Sequence, residues 1–520
     1  MRSSNGQSPI GQPLLASLDL GTGRVRAVAI DLKGHIVAEA AEPTPTHFLQ
    51  AGWAEYHPQE LWQSVCRVLV ALTQEAKAHG TIKGFATGSM GEAGVLIDAK
   101  GKELGQIIAW YCARTIGDGE AMRRQLGDAY VFRTSGVTTS HSFSLAKILW
   151  WRRTHPQLFA KARRWLNMAD WVAFRLTGEA RTDFSLASRT NALDLSDLRW
   201  ADKLLGKLDI DPSLFAPLIA SGAPVGHVHA AAAAQTGLPQ GLLVSAGGHD
   251  HVISTIAADT NRPGILLDSM GTAEGLILAN DRPIFDDRLR QGGNQQSILS
   301  LDMPRYELMC GLTTSGGAIE WFRKQAGGAS YESLIEEASA LPPGSHGLCF
   351  LPQLRGGDQP YPNPNARGAF IGITGDSSPG VLFRSVLEGL CLYTRLELDH
   401  LSAIENVAPI ARIRVIGGGT RNELLMKIKA SVYGRALEVT PLSEATCLSA
   451  AILGGVGAGV FASVAEARRE MAEGLGQVRI VEPEPEWAKR YDDLYRTVYA
   501  PLPLVLASTH DALAWFRERA

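Results

Sequence analysis

"LDLGTGRVRAVAIDLKGHI", residues 18–36, is the stretch from which the rest of the chain can be read. Two apolar runs of strand character, Leu14 to Leu18 and Arg26 to Ile30, flank Asp19-Leu20-Gly21-Thr22-Gly23, and Asp31 with Gly34 opens a further hairpin. A Gly-Thr-Gly turn leaves backbone N–H groups uncovered by side chains and adds one hydroxyl, the donor set an anion needs. An ordinary β-turn fits the same residues. A P-loop does not, because GxxxxGK[ST] is absent and no helix follows directly.

The pattern recurs. "GILLDSMGTAEGLILAN", residues 264–280, again sets an aspartate and a Gly-Thr pair between two apolar runs, so the chain reads as two similar halves whose turns can grip one polyphosphate. A third element, "RVIGGGTRNELLMKIKASVYG", residues 414–434, places Gly417, Gly418 and Gly419 after a strand and at the start of a helix, a setting suited to a nucleotide. It lacks the GxGxxG spacing and the N-terminal βαβ unit of a dinucleotide fold.

A fourth, "LLVSAGGHDHVISTIAA", residues 242–258, reads as an aliphatic strand, a Gly-Gly break, and His249-Asp250-His251 leading into a helix. A carboxylate at a strand end is placed where a general base takes a proton from an attacking hydroxyl. A helix N-cap and a His-x-His metal pair are the alternatives, the latter lacking an evident third ligand.

The 520 residues suggest two to four domains. With 50 Lys and Arg against 53 Asp and Glu and no charged block, nucleic-acid and basic membrane-surface partners are disfavoured. The six cysteines are far apart and form no CxxC pair, which fits reduced, cytoplasmic thiols. No apolar stretch is long enough to span a bilayer. Strand runs such as Gly94 to Ile97 and Leu242 to Ala246 alternate with helical ones, Pro58 to His79 and Ser144 to Arg153, which argues α/β.

Taken in order, these motifs resemble the FGGY carbohydrate kinases over residues 14 to 505. "DLGTGRVRAV" and "DSMGTAEG" are similar to the two phosphate motifs, and "AGWAEYHPQELW" to the early Gly-Trp-x-Glu-x-x-Pro segment. "GLTTSGGAIEWF", "PNPNARGAFIGIT", "IGGGTRNELLMKIKASVYGRALEV" and "EATCLSAAILGGVGAG" follow where the family has its nucleotide-side segments.

The resemblance implies an α/β fold of two actin-like, ribonuclease-H-like ATPase domains with a catalytic cleft between them. The expected division is a flexible tail at 1–13, an N-terminal domain at 14–257, a C-terminal domain at 258–505 and a tail or final amphipathic helix at 506–520. It implies ATP with Mg²⁺, Asp19 near the metal through water, and Gly21, Thr22 and Gly23 near the phosphates. Arg26 falls beside the transferred phosphoryl group, Gly271 and Thr272 on the far side of the triphosphate, and Gly317, Gly418, Gly419 and Asn422 around the nucleoside. Asp250 falls on the catalytic base; Met90, Glu92, Trp110 and His251 fall on the sugar side. A homodimer is a family implication only.

Some positions depart from the pattern. Cys112 stands where Trp-x-Asp-x-Arg has aspartate, "RGGDQP" lacks a Gly-Glu-Arg, and Met90-Gly91 matches neither glycerol kinase nor xylulokinase. The expected activity is therefore ATP-dependent phosphorylation of a small ketose, such as a pentulose, or of a tetritol or pentitol. A degenerate kinase acting as a regulatory or binding protein, and an actin- or chaperone-type ATPase, are the rival classes.

Overall fold

The computed structural model describes residues 11–517. β1 (Pro13–Leu20), β2 (Arg24–Ile30) and β3 (Ile36–Pro43) form an antiparallel meander. α1 (Pro58–Ala76) then crosses to β4 (Thr81–Ser89), which runs parallel to β1. α1 starts at Pro58, whose missing N–H is no loss in a first turn, and buries Leu61, Val65, Val68, Leu69 and Leu72 along one stripe. It ends three residues before the expected His79. Ala78 and His79 instead bond to carbonyls three residues back, turning the chain at Gly80, where a Cβ would lie 2.1 Å from the Gln12 carbonyl oxygen.

After a long insertion containing α2 (Ser144–Thr154), β5 (Leu243–His249) joins parallel to β4, and α3 (Asp250–Ala258) leaves it. The sheet order is β3-β2-β1-β4-β5, with Pro224–His227 added at the β5 edge.

The C-terminal half repeats this plan. β6 (Ile265–Met270), β7 (Glu274–Asn280) and β8 (Pro304–Leu312) are antiparallel, and α4 (Gly316–Gln325) follows. β9 (Arg412–Ile416) pairs parallel to β6, and after α5 (Glu423–Tyr433), β10 (Leu437–Val439) pairs parallel to β9. The order β8-β7-β6-β9-β10 is that of the first sheet, so the repeat expected from the two Gly-Thr turns is an architectural one.

α6 (Ala445–Gly457) belongs to the second half by sequence yet packs on the first sheet. A Cβ on Gly84 of β4 would lie 2.3 Å from the Gly454 carbonyl oxygen, so both glycines are needed for helix and strand to meet. Leu15, Ile253, Leu267, Ile416 and Leu453 share one buried cluster, which joins the halves through α3 and α6.

The structure changes several local readings. The strand does not break at Gly-Gly but runs through Gly247 and Gly248 to His249. A Cβ at Gly247 would sit 1.9 Å from the Thr87 carbonyl oxygen, and the pairing register shifts between Ser245 and Gly248, so these glycines admit a close neighbouring strand. Gly418 lies in a 3₁₀ turn, Gly418–Arg421, and α5 starts only after Asn422. Ala507–Arg517 is a helix, α7. Residues 1–10 of the expected N-terminal tail lie outside the described residues. All six cysteines are free, and among the described residues no helix is long and apolar enough to cross a membrane.

Candidate active site

Asp19 is the next-to-last residue of β1, paired across the hairpin with Arg26 and on its other side with Gly88 of β4. Asp250 is the first residue of α3, where β5 ends with His249 beside Ser89 of β4. The ends of β1 and β5, which flank β4 in one sheet, thus bring two carboxylates together from positions more than two hundred residues apart in sequence. His249, not Asp250, holds the N-cap position, and Asp250 Oδ1 accepts the His251 backbone N–H at 2.7 Å.

Asp250 perturbs Asp19. Burial, then Asp250 and Glu444, push the Asp19 carboxyl well above the usual carboxylate range, with Arg26 opposing. Burial also raises Asp250; His251 and Arg189 act against it and Glu92 with it. Arg26 is engaged by Glu39 at 3.0 Å and by Glu444.

Asp250 borders two cavities. One, of about 180 Å³, is lined by Asp19, Ser254, Ser269, Gly417 and Glu444. The other, of about 340 Å³, is walled on one side by Met90, Glu92, Trp110 and Phe143 and on the other by Glu274 and Gln295. His251 also reaches both. A volume of this size suits a small ligand, and its polar walls suit one with several hydroxyls.

Glu92 has φ +61°, a left-handed conformation rare for a side chain of its kind and concentrated at functional sites. Arg189 donates from Nε to Glu92 Oε1 at 2.7 Å, bonds it again through Nη2, and reaches Gln295 Oε1 at 2.6 Å across the cavity. Gly91 makes the space for this. A Cβ there would lie 2.8 Å from His249 Cδ2 and 3.1 Å from Arg189 Cγ. His249 Nε2 is 3.2 Å from Asp250 Oδ1, and burial holds this imidazole neutral by pushing its pKa well down. Trp110 Nε1 donates to Thr22 Oγ1 at 2.9 Å, linking the wall of the larger cavity to the first Gly-Thr turn.

The remaining expected residues are distributed as follows. Gly21 N–H closes the first turn on the Arg24 carbonyl, with Thr22 and Gly23 at its exposed tip. The carbonyls of Gly271 and Thr272 in the second turn accept N–H groups of Ser315, Gly316 and Gly317 at the start of α4. Gly419 lies against Met270 of β6, and Asn422 caps α5 through the Leu425 N–H at 3.0 Å. Gly317, Gly418, Gly419 and Asn422 line neither cavity. Cys112 is buried and accepts from Ala54 N and Arg114 Nε, so its replacement of aspartate alters the ground behind Trp110 and not the cavity wall itself.

The acidic surroundings of the smaller cavity suit a hard divalent cation. Asp19 Oδ1 is buried with no partner, close to Asp250 and Glu444, and oxygen donors of this kind are what Mg²⁺ takes. His249 and His251 do not form a metal pair with a third ligand. Among the described residues, the one cluster of metal-ligand type is His47, His57 and Glu60, away from the cleft, where the two imidazoles stack 3.9 Å apart at 7°. Parallel rings send their lone pairs along parallel planes, so they do not converge on one ion.

Arg189 and Lys147 belong to none of the sequence motifs. Each sits in a run whose partners lie far away in sequence; the signal Lys147 does give is a charge within an apolar run, as in "SLAKILWW".

Two equivalent α/β domains, a pair of carboxylates at strand ends of one sheet and a cleft between Gly-Thr turns define the actin-like class of phosphate-transferring proteins. The chain belongs to the FGGY family of carbohydrate kinases: the family's N-terminal domain matches residues 14–257 and its C-terminal domain residues 266–458. It is 29% identical over 468 residues to L-fuculokinase of Escherichia coli, covering 88% of this chain and 96% of that one. It is 26% identical over 490 residues to xylulose kinase of Bacillus subtilis, covering 93% and 96%. The crystal structure of xylulose kinase from Rhodospirillum rubrum superposes with a TM-score of 0.86 at 27% identity, covering 96% of this chain and all of that one. The protein is thus a carbohydrate kinase, with ATP as phosphoryl donor.

Proposed function

We propose that the protein transfers the γ-phosphoryl group of ATP to a hydroxyl of a small ketose or polyol, with Asp250 as general base. The observation that carries this reading is the position of Asp250 on the border between the two cavities. A hydroxyl of a sugar in the larger cavity and a phosphate reaching toward Asp19 would meet there. The relatives of comparable identity act, by name, on L-fuculose, on xylulose and on glycerol, which keeps the acceptor within small ketoses and polyols.

In this mechanism Asp250 takes the proton as the hydroxyl oxygen attacks phosphorus in line. Glu92, held in place by Arg189, accepts hydrogen bonds from sugar hydroxyls, and Trp110 covers an apolar face of the sugar. Asp19, with Asp250 and Glu444 nearby, would hold Mg²⁺, which supplies charge neutralisation on the phosphates. The Gly-Thr turns and Arg26 bear on the triphosphate, and Gly317, Gly418, Gly419 and Asn422 on the nucleoside side. Approach of the two halves would exclude water and suppress ATP hydrolysis.

The test is ADP release from MgATP against ketopentoses, 6-deoxyketohexoses, tetritols, pentitols and glycerol. Strong stimulation by one or two ketoses or polyols supports the reading. ATP binding with no stimulation by any of them contradicts it.

A further inference from the structure

Lys147 is a buried cation that the phosphoryl transfer does not use. It lies on α2, within an otherwise apolar stretch, and its side chain is wholly removed from solvent. Among the described residues, no carboxylate bonds it. Its Nζ instead donates to three carbonyl oxygens: Trp110 at 3.5 Å, His141 at 3.3 Å and Ser142.

Those carbonyls belong to two chain segments on one side of the larger cavity: Trp110 on the first, and on the second the loop before α2, whose Ser140, Ser142 and Phe143 line the cavity. Thr115 Oγ1 joins the same knot, donating to His141 O at 2.9 Å, and Ser144 Oγ donates to Glu92 O at 2.9 Å. The Arg189 guanidinium lies 5.0 Å over the Phe143 ring, so a shift of this loop reaches the Glu92 pair as well.

We infer that Lys147 is a positioning residue for the sugar: its ammonium ties the 140–143 loop to Trp110, and sugar affinity depends on all three bonds. An ammonium has three hydrogens for three carbonyls, whereas a neutral amine has two, so deprotonation frees one of the two segments. Burial pushes the Lys147 pKa down to about 7, with Glu92 and Cys112 opposing.

Among the described residues, the surroundings leave no carboxylate free for Lys147. His141 faces it from the loop, and burial and Lys147 push that imidazole's pKa down. Glu92 is taken by Arg189; Arg114 is taken by Glu55 and Cys112; Asp118, on the neighbouring helix, is taken by Arg153.

The inference rests on the sugar-kinase reading and is tested with the whole enzyme and whichever sugar stimulates ADP release. The KM for sugar and the KM for ATP are measured from pH 6 to 9 for the wild type, Lys147→Met and Lys147→Arg. The expected result is a sugar KM that rises about fivefold across neutrality in the wild type, the loss of roughly one hydrogen bond, while the KM for ATP stays within about twofold. Lys147→Met shows the raised sugar KM at every pH, and Lys147→Arg, charged throughout, shows no rise. An active wild type with a pH-independent sugar KM overturns the inference alone, as does Lys147→Met keeping the wild-type pH dependence. If Lys147→Arg does not fold, those two comparisons still decide. A sugar panel without stimulation overturns both this and the functional reading.

Discussion

Arg189→Met tests whether the Glu92 pair is the charge balance of the cavity. Both side chains are buried, at 6% and 9% exposed, and the guanidinium meets Glu92 through two nitrogens and Gln295 through one of them. Removing the cation leaves the Glu92 carboxylate buried and uncompensated near Asp250, a change that typically costs about 3–5 kcal/mol. Spread over a domain of roughly 250 residues, that corresponds to a fall in melting temperature of about 6–20 °C by scanning calorimetry. Asp250 also loses a cation that lowers its pKa, so the acid limb of kcat/KM moves to higher pH. Arg189→Met combined with Glu92→Gln should recover more than half of the lost stability, because no unpaired charge remains. A single variant within about 1 kcal/mol of the wild type, or a double variant no better than the single, refutes the reasoning.

Other outcomes follow from the same geometry. Gly91→Ala forces a Cβ against His249 and Arg189, so kcat/KM falls at least about tenfold in steady-state assays and stability drops by about 1–3 kcal/mol in urea. The raised Asp250 carboxyl makes kcat/KM fall on acidification at a higher pH than a free carboxylate would give, which a pH–rate profile reads directly. The linked stability has the opposite slope. In the range between the unfolded and the raised folded pKa the native state keeps a proton the unfolded chain has lost, so this contribution is full at low pH and lost as pH rises through the folded value. Lys429→Met removes the ammonium that bonds Asp268 at 2.5 Å and also Glu274 beneath the second Gly-Thr turn. Two facing buried carboxylates remain, and the variant should lose about 3–5 kcal/mol in urea unfolding and bind ATP more weakly by calorimetry.

The hairpins at Asp19 and Asp268, the entry of α1 at Pro58 and the two-sheet architecture are legible in sequence, because strand period, turn glycines and helix-start proline are local signals. What the sequence hides is long-range. Gly247 and Gly248 look like a chain break when read alone; their reason is a neighbouring strand whose Thr87 carbonyl leaves no room for a Cβ. Glu92 is readable as a sugar contact only through family pattern, and its partner Arg189 lies 97 residues away. Lys147 is a lone charge in the apolar run "SLAKILWW", and its partners, the carbonyls of Trp110 and the 140–143 loop, are brought around it only by the fold. Asp250 stands out in sequence through its setting of Gly-Gly and histidines, whereas its place on the border of two cavities exists only once β5 lies beside β4.

The central claim, that Asp250 takes the proton of the acceptor hydroxyl, is tested most directly by Asp250→Asn assayed for sugar-stimulated ADP release alongside nucleotide binding by calorimetry. The account predicts a kcat lower by about 10²–10⁴-fold with ATP affinity kept within about threefold. Turnover near that of the wild type would contradict it.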